Sequence, residues 1–247
     1  MKIFFLIALL WFGCLTSTVT YAQFNDTTNY YVSLSSIGVA NKTNDRESWL
    51  LNNNFKFSVY KKQISLNTSA SMIYGEQNAL LSNRDFIGAL DFNYYLKDKP
   101  TYFWGLGTYE KNFSLKINNR LQTGLGVGYN VLQRERMVIN ISDGILYEHS
   151  DLPLTAEGQN IDYTTFRNSF RLKYRFIFNG ILTFDGTDFI QHSLSDRSDY
   201  IIRTQNNLSL KLIRWLSITA GVTYNKLSKT GRENLLMNYG VTIERYF

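Results

Sequence analysis

The sequence predicts an all-β protein: an antiparallel transmembrane β-barrel of the outer-membrane kind, with about 12 strands and both termini periplasmic. Three observations carry this. Segments in which apolar and polar residues alternate recur along the whole chain, the period of a strand with one greasy and one polar face. Aromatic residues make up 15% of the chain while there are only 2 prolines, as expected where nearly every backbone N–H must join a ladder. An apolar leader opens the chain, and an alternating stretch, residues 235–247, closes it on Phe247.

Residues 1–22 read as a secretory signal. Lys2 supplies the positive end, residues 3–15 form an apolar run too short to span a bilayer, and Thr20-Tyr21-Ala22 places small residues at the cleavage-recognition positions. Cleavage is expected after Ala22, leaving residues 23–247 as a single barrel domain. The only cysteine, Cys14, leaves with the signal, so the mature chain has no disulfide and no thiolate chemistry. Trp11, where lipoprotein signals usually carry Leu, argues against Cys14 as a lipid acceptor. Mean hydropathy is −0.22, which fits a barrel because alternating strands average out.

The strands follow in order. The first covers residues 29–40. The second sets Leu51, Asn53, Phe55, Phe57 and Val59 against Asn52, Asn54, Lys56 and Ser58, and the third, 64–74, sets Ile64, Leu66, Ala70 and Met72 against Ser65, Asn67, Ser69 and Ser71. The fourth runs over 86–96 and the fifth over 101–109. The sixth, 119–129, is the clearest: Leu121, Thr123, Leu125, Val127 and Tyr129 oppose Arg120, Gln122, Gly124, Gly126 and Gly128. The seventh, 137–147, reads with a slip near residues 143–145, where Asp143 falls on the apolar side. The eighth is 164–176, the ninth 178–184, the tenth 200–212, the eleventh 216–224 and the twelfth the terminal stretch. Most approach the 9–11 residues that a tilted strand needs to cross a membrane.

Connections 41–48, 75–84, 110–118, 148–163, 185–199 and 226–234 read as long. Those at 61–63, 97–100, 131–136, Ile177 and 213–215 read as short. Outer-membrane barrels pair short periplasmic turns with longer outer loops. Ten or fourteen strands stay open, because the seventh and ninth are weakly marked. A secreted β-sandwich would alternate too. The signal, Phe247 as an assembly signal, and aromatics at strand ends (Tyr60, Tyr74, Tyr94, Tyr129, Tyr147, Tyr200, Trp215, Tyr224, Tyr246) favour the membrane. The expected location is the outer membrane of a Gram-negative-type bacterium after export through the periplasm, with outer-membrane lipid and the barrel-assembly machinery as partners.

Residues 94–150 carry a resemblance. A Tyr-rich strand leads into an aromatic-Gly segment, a Glu-containing loop, Arg120 with Gly124, Gly126, Gly128 and Tyr129, and then the pair Tyr147-Glu148. This stretch resembles the YdiY-like salt-induced outer membrane proteins, domain-of-unknown-function family 481. The resemblance implies an outer-membrane barrel with a role linked to osmotic stress. It brings no catalytic residues.

Gly124, Gly126 and Gly128 are expected on the lumen side, leaving room for bulky neighbours or a bend. Arg167, Arg171, Lys173 and Arg175 form a basic ladder on the polar face of the eighth strand, with Arg203 and Lys211 facing the same way on the tenth. In lipid each would cost about 2–4 kcal/mol at mid-depth, so they should face the lumen. There they form either an anion-attracting pore wall or an internal ion-pair network with Asp85, Asp91, Glu148 or Glu244. Gln122 is expected to face a wet lumen. A formal net charge of +6 is too small an excess to imply nucleic acid. Two histidine–serine neighbours, His149-Ser150 and His192-Ser193, are the only hint of an outer-membrane enzyme acting on lipid. The leading expectation is a structural or small porin-like envelope barrel without enzymatic activity, cofactor or metal. The oligomeric state is not legible.

Overall fold

A computed structural model describes residues 29–153 and 160–246; the signal segment and Phe247 lie outside the described residues. The chain forms a closed barrel of twelve antiparallel strands, each paired with its sequence neighbours, and β1 closes on β12. The strands are β1 (Tyr30–Lys42), β2 (Glu47–Lys61), β3 (Ile64–Gln77), β4 (Leu80–Tyr95), β5 (Thr101–Asn112), β6 (Ile117–Arg134), β7 (Met137–Leu152), β8 (Ile161–Phe178), β9 (Leu182–Ser193), β10 (Tyr200–Ile213), β11 (Leu216–Leu227) and β12 (Arg232–Tyr246). The closing ladder joins Tyr31–Ser36 to Val241–Tyr246; beyond it, Ile37–Lys42 pair only with β2 and Arg232–Gly240 only with β11, so the sheet closes fully only towards the short-turn end.

The barrel is inside out relative to a soluble protein. Its outward positions carry exposed apolar residues, including Leu125 at 73%, Tyr239 at 68% and Met237 at 66% exposure. Its inward positions carry most of the buried polar and charged side chains, among them Arg120, Glu148 and Arg167. Aromatic pairs mark the outer surface towards the long-loop end: Trp49 with Tyr74 at 5.3 Å and Tyr147 with Phe166 at 5.6 Å between ring centroids. Tyr60 does not join an exterior girdle. It shares the face of Ser65 and packs edge-on against Tyr95, 5.9 Å away in the lumen.

Several boundaries differ from the sequence reading. β9 covers Leu182–Ser193, while Phe178 ends β8 and residues 179–181 form the turn. The polar run Asp185, Gly186, Asp188 had read as a loop, yet it pairs on both sides. The expected long connection at 75–84 is a two-residue turn. Asn78 (φ 51°) and Ala79 (φ 60°) adopt the left-handed geometry that tight hairpins need. The Asn78 side chain accepts the Glu47 N–H at 2.9 Å. The strands run further out than the apolar pattern because ladder bonds persist where neither face is greasy. Nor does β7 slip at 143–145: Ser142 pairs Arg171 and Ile145 pairs Asn168 in one register, so Asp143 points outward. The irregularity lies instead between Asn130 and Leu132 on β6.

Candidate functional site: the barrel lumen

The lumen has two unlike halves, and the sequence of each strand decides which. On β4–β9 the inward residues are large. Tyr102, Trp104 and Leu146 form a buried cluster with Tyr95 and Leu106 packed against it. They fit because the facing strand has no side chains. Tyr102 pairs with Gly128 and Trp104 with Gly126, and a Cβ at either glycine would overlap the ring opposite. Leu146 closes over Gly124 in the same way. The alternating glycines of β6 are thus sockets for lumen-filling groups, and no phosphate-binding loop forms there.

Above that cluster lies an ion-paired layer. Glu148, fully buried, accepts hydrogen bonds from Arg167 Nε at 2.7 Å and Nη2 at 3.0 Å. It also accepts from Gln122 Nε2 at 2.6 Å, Tyr163 Oη at 2.7 Å and Ser150 Oγ at 2.9 Å. Arg167 reaches on to the Asp199 carboxylate at 2.9 Å. Arg120 sits 3.7 Å from Glu148 and 3.5 Å from Glu110, and Arg203 pairs with Glu110 from the far wall. Three carboxylates and three guanidiniums therefore balance in a largely buried layer. Lower down, Asp91 pairs with Arg171 and with Lys173 at 3.4 Å. The Arg171 guanidinium lies over the Trp104 ring, 5.3 Å from its centroid.

A lid closes this half outwards. Leu115, Ile117, Leu152, Ile201 and Leu227 form an apolar cluster, each at most 3% exposed, with Tyr163 against it. Leu115 comes from the β5–β6 connection, which is tied down on both sides. Ser114 Oγ donates to Asp85 at 2.7 Å on β4. Thr230 Oγ1, in a short 3-10 turn between β11 and β12, donates to the Leu115 carbonyl at 3.2 Å. The connection thus reaches across the outer mouth.

The other half, β10–β12 and β1–β3, carries small hydroxyl and amide residues inward. Ser209, Thr219 and Thr242 form a chain of hydroxyl contacts at 2.9 and 3.0 Å, continued to Ser35 at 3.4 Å. Gln205 and Lys56 face the lumen and are exposed, so water reaches this side.

The basic ladder is divided by height along the barrel. Arg167, Arg171, Lys173 and Arg203 are ion-paired as described. Arg175 and Lys211 lie towards the short-turn end, with Arg175 exposed. Of the partners expected from sequence, Asp91 and Glu148 take part. Asp85 instead binds Ser114, and Glu244 accepts from Tyr31 Oη at 3.0 Å. Gln122 is buried, held between Glu148 and Gln191, and does not face open water. Sequence reasoning missed Glu110, Asp199 and the ionic role of Arg120. Glu110 was recoverable, since it continues the inward parity of Tyr102 and Trp104; Asp199 lies beyond any strand pattern.

The histidine–serine neighbours are split by the pleat. Ser150 points into the lumen towards Arg120 at 3.2 Å, while His149 lies 3.4 Å from Asp162 on the opposite face. Ser193 turns inward to Thr165 at 2.7 Å, and His192 turns outward beside Tyr200. Neither serine can pass a proton to its neighbouring imidazole.

Solved structures align over most of the chain at low identity. The translocator domain of the autotransporter NalP from Neisseria meningitidis aligns with a TM-score of 0.49 and 13% identity, covering 87% of each chain. The NanC porin aligns at 0.48 and 11%, covering 87% of this chain and 97% of the porin. The KdgM porin aligns at 0.42 and 12%, covering 87% and 99%. No curated protein matches the sequence. Residues 35–241 match the family described as protein of unknown function, DUF481, and the chain belongs to that family.

Proposed function

We propose that this chain is an outer-membrane barrel of the cell envelope with a structural role, its lumen closed to the outside and wet from the periplasmic side. Residues 1–22 direct export and are then removed, and Phe247 serves the assembly machinery. The apolar exterior supports the membrane location, since only a lipid surround removes the cost of so much exposed apolar surface. The observation that carries the closed state is the ion-paired layer around Glu148 beneath the apolar lid of Leu115, Leu152, Ile201 and Leu227. The resemblance to salt-induced proteins fits an envelope component called on under osmotic stress.

A second reading, a narrow gated passage, is favoured by the hydroxyl-lined half with Gln205 and Lys56. We further propose that the chain has no lipase-type activity, because the pleat separates each serine from its histidine. Planar-bilayer recording on refolded protein tests the closed reading. Wild type should insert yet stay electrically quiet, and Leu115→Asn with Leu227→Asn should conduct. Steady large conductance in wild type would overturn closure and favour the passage.

A further inference from the structure

The outer surface is mostly apolar, with a polar pair at Ser36 and Asn53 and a larger polar, charged region that the closed-barrel role does not use. On the outside of β8–β10, Tyr174, Asp188, Thr204 and Asn206 are neighbours: Asp188 pairs with Leu172 and Thr204, and Gly186 with Tyr174 and Asn206. Tyr174 lays its ring over Gly186 and donates to the Asn206 side-chain oxygen. Asp188 interacts with both. A second outward row begins nearby, where Asn168 Nδ2 donates to Asp143 at 2.9 Å and pairs across with His192.

The depth of Asp188 matters. Its partner Leu172 is six residues from Phe178, where β8 turns back. At ~3.3 Å per residue and a ~40° tilt, that places it about 15 Å above the periplasmic turn, near the middle of an apolar band about 25 Å tall. Lipid at that depth presents only methylenes, and headgroups lie too far away. Tyr174, Asn206 and Asp188 engage one another within the chain, but a carboxylate at that depth is costly against lipid and is better placed against a protein neighbour.

We infer that the outer face of β8–β10 is a homodimer contact within the membrane, the partner being a second copy of this chain. The surface is self-complementary. Asp188 accepts on β9, while Thr204 and Asn206 donate on the adjacent β10. A two-fold axis along the membrane normal, passing between β9 and β10, sets each copy's Asp188 against the other's Thr204 and Asn206 at equal depth. The outer face of β4–β6 around Leu90, Phe92 and Leu125, about a third of the way round the barrel, is exposed and apolar and meets lipid.

The inference rests on the membrane reading, and its test separates the two. The only cysteine is Cys14, in the signal segment, so the expected mature chain takes single-cysteine probes. Refolded protein in lipid vesicles should show heat-modifiable migration whether or not it dimerises; failure to insert would sink the membrane reading. Given insertion, Thr204→Cys should form an intermolecular disulfide and Leu125→Cys should not. Native mass spectrometry from bilayers should give a dimer for wild type and a monomer for Asp188→Leu with Asn206→Leu, with the same heat shift. An inserted wild type that stays monomeric, a dimer that survives the double substitution, or equal crosslinking at Thr204 and Leu125 would each overturn the dimer.

Discussion

Replacing Glu148 with Leu removes the hub of the lumen. The wild-type carboxylate takes two hydrogen bonds from Arg167 and one each from Gln122, Ser150 and Tyr163. Without it, Arg167 keeps only Asp199 as a carboxylate partner, and Arg120 keeps only Glu110. Breaking a buried pair by deleting one member costs about 3–5 kcal/mol. The leucine recovers part of that through apolar burial, about 1–2 kcal/mol. The expected net loss is about 1–4 kcal/mol. Removing Arg167 as well, as Glu148→Leu with Arg167→Leu, should cost less than the two single losses together, because neither charge is then stranded. Urea unfolding of refolded barrel in lipid, followed by tryptophan fluorescence, measures all three variants. A loss below about 1 kcal/mol for Glu148→Leu, with additive behaviour, would mean that the layer is solvated and does not block the lumen.

Gly128→Val should cost about 1–3 kcal/mol by driving a side chain into the Tyr102 ring, while Gly107→Ala, with nothing within 4 Å of the added carbon, should be nearly neutral; thermal unfolding of the two compares them. Leu125→Arg should lose about 2–4 kcal/mol of folding stability in liposomes and Gln205→Arg, in the wet half of the lumen, less than about 1; equal losses would place the outward register of β6 in error. In the β9–β10 connection, Ser198 and Lys229 hold the Asp196 carboxyl below its ordinary value. Because this folded-state value is depressed, the loop's stabilisation is present above the usual carboxylate range and is lost as pH falls through the lowered value. The protection of the Ser198 amide relative to its intrinsic exchange rate, its N–H being accepted by Asp196 at 3.0 Å, should fall on that descent, and Asp196→Asn should flatten the profile.

The barrel was legible because a period of two survives wherever one face is apolar and the other polar. Leu121 to Tyr129 and the terminal strand place their own registers. The pattern failed where both faces are wet or a polar residue faces out. The outer ends of β3 and β4 read as loop although they pair to within two residues of the turn. Asp143 and Asp188, polar on the outside, read as a register slip and a loop. In the lumen, parity alone placed the basic residues, but it could not choose their partners. Lys211 and Arg203 share a face of β10, yet only the fold brings Glu110, 93 residues away, beside Arg203. The lid was invisible too, since Leu115 and Leu227 come from connections and strand ends whose convergence no local pattern encodes.

Closure of the outer mouth is most directly tested by thiol accessibility at Gln205, the inward residue directly below Arg203 and two inward positions below Ile201 in the lid. A membrane-impermeant maleimide added to intact cells should label Ser198→Cys, on an outer connection, and leave Gln205→Cys unreacted until the periplasm is opened to the reagent. Labelling of Gln205→Cys from outside at the rate of Ser198→Cys would contradict a barrel sealed by the Leu115 cluster.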